Sequence, residues 1–417
     1  MRIHRITGLM KASAFLALSA VLVGCASSTP KPEVSATPIN PPPVGPTPTV
    51  PAPPTQDYLV YVVAESADQV HLVRFGPGGA RLEKSQRVGM MPTEINGPHG
   101  IAVSPDKKNY YVSIAHGTPY GTLWKFTTAG DTLKGRVTLG LFPATISVSN
   151  DGALAFVVNF NLHGDMVPSS VSIVSTDEML EIARTTTCTM PHGSRINPQG
   201  THQYSACMMD DMLVEINTQT FEISRHFMLA AGKEHGMSGP PAAMKAADGG
   251  AAHSGMSHDS AAMKMPAVQC SPTWAQPSAD GQKIFVACNK SNEIVEIDFK
   301  GWTVARRFPV QNGVYNLAVS PDGKYLIATN KRSQSVSIFD AASAKEVAKI
   351  ATKRRVVHGA IVSPDSRYAF ITVEGQGSEP GTLEVIDLTA LKTIASVDLG
   401  QQAAGIDFYK MVPPGGQ

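Results

Sequence analysis

The feature of this 417-residue chain that most constrains its fold is a short turn segment that recurs along most of its length. Three copies are nearly identical: 99–106 reads HGIAVSPD, 315–322 reads YNLAVSPD and 358–365 reads HGAIVSPD. Weaker copies begin at Ala144, His192 and Thr273. A segment that returns at a regular spacing predicts a repeat architecture in which each copy belongs to one structural module.

The spacing of the turns indicates the kind of module. Successive turns are separated by 45, 48, 81, 42 and 43 residues, and the one long gap contains an insertion at 231–267. Between turns, each repeat carries further short runs of alternating apolar residues, as in 325–330, 335–340 and 345–350. Four short strands in a repeat of this length are typical of one blade of a β-propeller.

The two ends of the repeat region predict a closed ring. Residues 58–412, without the insertion, provide enough chain for seven blades. The segment that starts at Tyr58 fits the last three strands of a blade, and 403–408 fits the missing first strand. Because pairing these ends would cover exposed sheet edges, we predict an all-β, seven-bladed β-propeller with four-stranded blades, closed by a C-terminal strand.

One sequence motif carries a family resemblance. The second-strand segment Ile327-Ala-Thr-Asn330, followed by Ser335-Val-Ser-Ile-Phe-Asp340, resembles the YVTN-type β-propeller repeat family. The resemblance extends over about 320 residues. It implies the propeller fold but no single activity, because that family includes binding modules, surface proteins and enzymes.

The first 57 residues predict export and a membrane tether. A basic start is followed by a short apolar run, 12–23, and then by Leu22-Val-Gly-Cys25. This pattern resembles the bacterial lipoprotein signal, which implies that 1–24 is removed and that Cys25 is acylated. With Ala26 next, the resemblance favours an outer-membrane location, facing the periplasm or the cell surface. Residues 25–57 hold eleven prolines between Pro30 and Pro54, which predicts an extended tether.

The remaining four cysteines are arranged symmetrically about two turns. Cys188 and Cys207 flank one turn, and Cys270 and Cys288 flank the turn of the next blade. In an oxidising compartment this arrangement predicts two structural disulfides, Cys188–Cys207 and Cys270–Cys288. The alternative is a thiolate metal site that joins blades 4 and 5.

Three histidines occupy the same position of the repeat. His99, His192 and His358 begin the first strands of blades 2, 4 and 7, and each precedes a glycine. First strands begin, and second strands end, on one face of the propeller, termed here the upper face; His116 and His163 end second strands there. Imidazole is the commonest nitrogen ligand of copper and zinc, so the set predicts a metal site. The alternative is that each His-Gly pair only builds a turn.

The insertion 231–267 is rich in histidine and methionine and poor in residues that form a core. Imidazole and thioether groups together suit copper, the thioether favouring Cu(I). The segment resembles the Met/His-rich motifs of periplasmic copper-resistance proteins, and the alternative is a low-complexity linker. The residues predicted to bind metal here are His235, Met237, His253, Met256, His258, Met263 and Met265.

Charge and motif content narrow the function. With 35 Lys and Arg against 34 Asp and Glu, the chain lacks the basic excess of a nucleic-acid-binding protein. Common hydrolase, nucleotide and dinucleotide motifs are missing from the sequence. We therefore predict a copper-binding or copper-handling lipoprotein whose partners are the membrane and a periplasmic or surface protein.

Two alternatives stay open, and enzymatic activity is not the favoured one. One is a propeller enzyme that uses the central funnel. It would be either a metal oxidoreductase, similar to nitrous-oxide-reductase or cytochrome d1 propellers, or a lactone hydrolase. The other is a cell-surface protein-interaction module.

Overall fold

The computed structural model describes residues 52–89, 93–116, 120–242 and 267–416. These residues form seven antiparallel sheets, each sheet one blade of a propeller, which confirms the predicted all-β fold. One short 3₁₀ helix, Glu65–Ala67, interrupts the strands of the first blade. No helix within the described ranges is both long and apolar enough to cross a membrane.

Strands are numbered β1 to β29 in chain order. Blade 1 contains β1 (Asp57–Ala64), β2 (Gln69–Gly76), β3 (Gly79–Arg87) and the last strand, β29 (Ala403–Val412). Blade 2 contains β4 (Pro98–Val103), β5 (Asn109–Ile114), β6 (Thr122–Thr127) and β7 (Leu133–Thr138). Blade 3 contains β8 (Pro143–Val148), β9 (Leu154–Asn159), β10 (Pro168–Ser175) and β11 (Leu180–Thr189). Blade 4 contains β12 (Pro191–Ile196), β13 (His202–Cys207), β14 (Met212–Asn217), β15 (Ile223–Met228) and β16 (His235–Ser238).

The other three blades follow the same pattern. Blade 5 contains β17 (Pro272–Pro277), β18 (Lys283–Cys288), β19 (Glu293–Asp298) and β20 (Thr303–Pro309). Blade 6 contains β21 (Val314–Val319), β22 (Tyr325–Asn330), β23 (Ser335–Asp340) and β24 (Lys345–Ala351). Blade 7 contains β25 (Val356–Val362), β26 (Tyr368–Glu374), β27 (Thr382–Asp387) and β28 (Lys392–Asp398). In every blade the first of the four strands is the inner strand, with β29 in that place in blade 1.

The recurrent Ser-Pro-Asp segment builds the turn between the first two strands of a blade. In blade 6, the Ser320 hydroxyl donates to the Asp322 carboxylate at 2.6 Å and accepts the Tyr325 N–H at 2.8 Å. The same carboxylate accepts the Lys324 N–H at 3.0 Å. Since the two side chains satisfy the backbone of the turn locally, the motif can be read from sequence wherever it recurs.

The ring closes as the sequence predicts. Strand β29 pairs with β1, so that Tyr58 lies opposite Met411 and Val62 opposite Ile406. Apolar side chains of adjacent blades then pack between the sheets; Tyr61 of blade 1 stacks on Tyr110 of blade 2 with ring centroids 4.6 Å apart. Each blade therefore buries its two faces against its neighbours, and blade 1 depends on the C-terminal strand.

Blade 4 differs from the predicted four strands. Residues 235–238 belong to the insertion 231–267 and form a fifth strand, β16, that pairs with β15 at the outer edge of the blade. Gly236 lies against Trp302 of blade 5, where a Cβ atom would be 2.1 Å from the indole ring. The absence of a side chain at this position lets the segment pack flat on the next blade, a long-range contact that local composition does not reveal.

Both predicted disulfides are present. Cys188 is bonded to Cys207 and Cys270 to Cys288, with Cα–Cα distances of 5.8 Å and 4.5 Å. The alternative of a thiolate metal site between blades 4 and 5 is therefore wrong, because all four sulfur atoms are bonded in pairs. Cys25, the predicted acylation site, lies outside the described residues.

We predict that deleting 403–417 prevents formation of a cooperative fold. The deletion removes β29 and leaves β1 as an unpaired edge beside an incomplete core. Thermal unfolding by circular dichroism should show no sharp transition, and a peptide of residues 403–416 added in trans should restore one. A sharp transition in the truncated protein without peptide would contradict this role of β29.

We predict that replacing either disulfide pair by alanine lowers the free energy of unfolding by about 3 kcal/mol, as expected for loops of this length. Each bridge spans 18 or 19 residues. Urea denaturation of C188A/C207A and C270A/C288A measures the loss. The unreduced, denatured wild-type protein should expose no thiol from these four cysteines; two or more reactive thiols per chain would refute the assignment.

Candidate functional site

The central channel is lined by inner strands that share one irregularity near their upper ends. The pairing with the second strand shifts register between Pro98 and Ile101 in β4, and between Val357 and Ala360 in β25. Corresponding shifts occur in β8, β12, β17 and β21. A β-bulge re-aims the side chain at the interruption, and His99 and His358 lie within the shifts of their strands.

The glycine that follows each of the three repeat-phase histidines permits close contact between blades. A Cβ atom on Gly100 would lie 2.0 Å from the Ala144 carbonyl oxygen of the next blade. On Gly193 it would lie 2.4 Å from the Thr273 carbonyl oxygen. Any larger residue would push the inner strands apart, so the His-Gly pair both narrows the channel and presents an imidazole to it.

Buried hydroxyl groups connect the bulges to the neighbouring blades. The Ser113 hydroxyl accepts the Gly100 N–H at 2.8 Å and donates to the Ala144 carbonyl of the next blade at 3.0 Å. Thr329 and Thr372 form equivalent links in blades 6 and 7. These hydroxyls satisfy N–H groups at the bulge and fix the spacing of adjacent inner strands at the level of the histidines.

The structure brings His99, His192 and His358 together across the channel. The ring centroid of His99 lies 5.5 Å from that of His358 and 6.1 Å from that of His192. All three side chains are buried. Three imidazoles that bind one ion at 2.0–2.1 Å would have ring centroids about 5–5.5 Å apart. The two separations from His99 are close to that value, although the histidines come from blades 2, 4 and 7.

His192 is held as a neutral ring with a defined tautomer. Its Nδ1 donates to the Thr273 carbonyl oxygen at 3.0 Å, and its Nε2 lies 2.9 Å from the Tyr315 hydroxyl, which donates to it. Burial lowers the pKa of His192 to about 3. Nε2 therefore carries the lone pair, and it faces the Tyr315 hydroxyl.

The carboxylate of Glu65 links His99 to His116 on the upper face. One carboxylate oxygen accepts Nδ1–H of His99 at 2.8 Å, and the other accepts Nε2–H of His116 at 2.9 Å. Burial tends to raise the pKa of Glu65, but the two histidines outweigh it and hold the pKa at about 2. The same hydrogen bond raises the pKa of His116. Nε2 of His99 forms no hydrogen bond with any residue described.

A second buried carboxylate lies beside His358. Nε2 of His358 is 3.7 Å from Oε1 of Glu374, which Lys331 also approaches to 3.2 Å. Burial raises the pKa of Glu374 despite Lys331, and burial lowers the pKa of His358 well below its usual value. Nδ1 of His358 is buried and has no hydrogen-bond partner among the described residues.

Below the three imidazoles is a small cavity of about 30 Å³, which has room for about one water molecule. Two further lining atoms, Trp274 Nε1 and Asn316 Oδ1, are buried and have no hydrogen-bond partner among the described residues. Buried polar atoms without partners mark places where a water or an ion belongs. The channel is thus nearly filled at this level, and the walls of the remaining space are partly polar and partly apolar.

The other predicted ligands lie in three places. His116 is half-buried and His163 exposed on the upper face, with ring centroids 5.9 Å apart. His235 and Met237 lie on β16, at the outer edge of blade 4. The predicted ligands His253, Met256, His258, Met263 and Met265 lie outside the described residues. Sequence reasoning placed Tyr315 at the repeat phase of the histidines but assigned it no role; its aromatic ring and hydroxyl contact both His192 and His358.

The described residues contain no group of three His, Cys, Asp or Glu side chains already arranged to hold a metal ion. In addition, the Tyr315 hydroxyl donates a hydrogen bond to Nε2 of His192, the nitrogen that an ion would need. A metal ion could share Nε2 of His192 only if Tyr315 moved aside and the three rings came slightly closer together.

Comparison with known proteins shows the fold alone. No protein-family model and no curated protein sequence matches this chain. The solved periplasmic gluconolactonase of Pseudomonas aeruginosa is similar, with 17% identity, a TM-score of 0.62, and 85% of this chain and 99% of that chain covered. A candidate 6-phosphogluconolactonase from Bacteroides fragilis has 14% identity, a TM-score of 0.60, and coverage of 85% and 98%. The hydrazine synthase of Kuenenia stuttgartiensis has 18% identity, a TM-score of 0.55, and coverage of 76% and 92%.

We predict that Glu65→Gln flattens the acid dependence of stability in metal-free protein. The Glu65 pKa is about 2 in the native state against an ordinary 4.5, so its contribution is complete above pH 4.5 and is lost as the pH falls towards 2. The shift corresponds to about 3 kcal/mol. Urea denaturation between pH 6 and pH 2.5 measures it: the difference between wild type and variant should shrink as the pH falls.

The control for this prediction is Glu379→Gln, which removes an exposed carboxylate elsewhere on the protein. Its difference from wild type should stay small at every pH. A Glu65→Gln difference that does not change between pH 6 and pH 2.5 would show that Glu65 is not held ionised by His99 and His116.

Proposed function

We propose that the protein binds a copper ion at the upper end of its channel through His99, His192 and His358. The observation that carries the proposal is the approach of their rings to 5.5 Å and 6.1 Å, close to the spacing of imidazoles on a shared ion. The three histidines come from separate blades, and their approach depends on the closed ring and on the close packing of its inner strands.

The surroundings of the rings support a ligand role. A metal-binding histidine usually donates its other N–H to a carboxylate or a backbone carbonyl. His99 donates Nδ1–H to Glu65, and His192 donates Nδ1–H to the Thr273 carbonyl. In both rings Nε2 is left as the coordinating nitrogen. The lowered pKa values of His192 and His358 keep these rings neutral at pH 7, which is the state that binds metal.

The donor set favours copper among the first-row metals. Imidazole nitrogen suits copper, zinc, nickel and iron, and the affinity order of such sites places Cu²⁺ first. The His- and Met-rich segment of 231–267 adds thioether groups, which select copper over zinc. Glu65 would set the orientation of His99, and Tyr315 would control access to Nε2 of His192.

An exported, membrane-tethered location is part of the proposal. It is supported by the lipoprotein-like segment that ends at Cys25 and by the two disulfides, since disulfides persist in oxidising compartments. In that location the tether would place the copper site in the periplasm or at the cell surface, where a protein partner could exchange metal with it.

A second candidate is hydrolysis of a sugar lactone. It is favoured by the gluconolactonase among the similar structures and by the Glu65–His116 pair, whose imidazole is 35% exposed at the upper face. A carboxylate-oriented histidine there has the character of a general base. Hydrolysis of gluconolactone that persists after complete removal of metal, and that is lost in His116→Gln, would favour this candidate over copper binding.

We predict that the central site binds Cu(II) with nitrogen ligands only. The experiment uses loop-silenced protein, in which His253, Met256, His258, Met263 and Met265 are replaced by alanine. Electron paramagnetic resonance of this protein with one equivalent of Cu(II) should show hyperfine coupling to several imidazole nitrogens. His192→Gln and His358→Gln should weaken binding by at least the 10–100-fold typical of lost outer-shell groups.

The matched control is His71→Gln. His71 is also buried, but both of its ring nitrogens are hydrogen-bonded within blade 1 and the adjoining loop, to Ser85 and Gly400. This variant should bind Cu(II) as the parent does. Equal affinity in the His71, His192 and His358 variants, or a signal without coupled imidazole nitrogens, would refute the central copper site.

A further inference from the structure

A second set of histidine and methionine residues lies on one face of the outermost ladder of blade 4. Strand β15 pairs with β16 so that His226 lies opposite Met237 and Met228 lies opposite His235. His226 and Met228 are two residues apart, as are His235 and Met237, so the four side chains point to the same face of the ladder. We define this set as the ladder quartet.

The quartet residues are close enough to share one ion. Directly opposed residues of an antiparallel pair have Cβ atoms about 4.5–5.5 Å apart, and diagonal neighbours are about 7–8 Å apart. The two imidazoles also interact electrostatically: burial lowers the pKa of His226, and His235 lowers it further against the opposing effect of the Gly239 carbonyl. Phe227 and Gly236, which alternate with the quartet, face Trp302 of blade 5 instead.

Both histidines of the quartet have one nitrogen fixed and one free. Nδ1 of His226 donates to the Gly239 carbonyl at 2.7 Å, and Nδ1 of His235 donates to the Lys233 carbonyl at 2.9 Å. Their Nε2 atoms form no hydrogen bond within the described part of the chain. A backbone carbonyl on Nδ1 is the arrangement that orients a histidine for metal binding through Nε2.

We infer that the ladder quartet is a binding site for Cu(I), with two imidazole and two thioether ligands. Thioether sulfur is a soft donor that selects Cu(I), and two neutral imidazoles complete a four-ligand set without adding charge. His226 is buried, Met228 and Met237 are half-buried, and His235 is exposed, so a metal ion reaches the site from solvent through His235.

The site is separate from the three histidines of the channel. His192 lies on the inner strand β12, whereas the quartet lies on the fourth and fifth strands of the same blade. With strands about 4.7–4.9 Å apart, the two places are separated by roughly 14–19 Å, so no ion could be shared. The inference therefore does not depend on the central copper site and can fail or hold independently of it.

The test uses the loop-silenced protein with His192→Gln and His358→Gln added, which removes five predicted ligands of the insertion and two of the three channel histidines. Under anaerobic conditions this protein should bind one equivalent of Cu(I) in competition with bicinchoninate. His235→Ala/Met237→Ala should abolish that equivalent. The matched control, Met166→Ala/His202→Ala, removes the same residue types from blades 3 and 4 outside the ladder and should keep it.

Nuclear magnetic resonance of protein with an unaltered quartet gives a second measurement, which does not depend on whether a variant folds. With methionine labelled at the methyl carbon, one equivalent of Ag(I), a redox-inert analogue of Cu(I), should shift the resonances of Met228 and Met237 and leave other methionines unchanged. No bound Cu(I) in the parent protein, an equivalent that survives His235→Ala/Met237→Ala, or shifts confined to other methionines would each overturn the assignment.

Discussion

The bulge that interrupts the inner strands near their upper ends is the constraint on which the rest of the site depends. At this point the ladder to the second strand is broken, and the freed N–H groups must find other partners. Hydroxyl side chains such as Ser113 and Thr372 accept them and donate to the next blade. The same hydroxyl thus accepts the free N–H group of one blade and bonds to the next blade. The distance between adjacent inner strands is therefore set in the same way at several places around the ring.

That spacing determines the electrostatics of the channel. Because the inner strands approach one another at glycine, the imidazoles of His99 and His358 come within 5.5 Å and are withdrawn from water. Desolvation then keeps His192 and His358 neutral, while the carboxylate of Glu65 is held ionised by the hydrogen bonds it accepts. A wider ring would solvate all of these groups, and their pKa values would return towards ordinary values.

The fold, and the residues that line the mouth of the channel, could be predicted from sequence because both follow from the regular spacing of the repeated turn. The Ser-Pro-Asp turn fixes the direction of two strands, so a residue five positions before it must lie at the channel mouth; this argument places His99, His192 and His358 correctly. The turn also lies midway between Cys188 and Cys207, which is why the sequence indicates this disulfide, although Cys188 lies on the outer strand of blade 3 and Cys207 on the second strand of blade 4. The unpaired first and last segments likewise predict closure through β29, because a ring has only one way to complete its open blade.

The spacing of the repeat could not predict features that depend on contacts between different blades. The closeness of the three imidazoles depends on how tightly neighbouring inner strands pack, and residues such as Gly193 decide this through contacts with Thr273 and Trp274 of the next blade. The fifth strand β16 depends on Trp302 of the next blade, so its residues 235–238 looked like loop. The sequence does not mark His226 and Met228 as ligands, because they lie on an ordinary fourth strand. Their relation to His235 and Met237 appears only when β16 pairs with that strand.

The two proposed sites differ in a way that follows from where they lie. The three proposed ligands of the channel site come from inner strands, which offer imidazoles to a point enclosed by seven blades; a nitrogen-only set of this kind favours Cu(II). An ion held there would bind the native ring and not the unfolded chain, so it would stabilise the ring closure that creates it. An edge ladder instead presents alternating side chains to solvent, where thioethers can favour Cu(I). The channel site and the ladder quartet would thus give one chain two copper sites, the first favouring Cu(II) and the second favouring Cu(I).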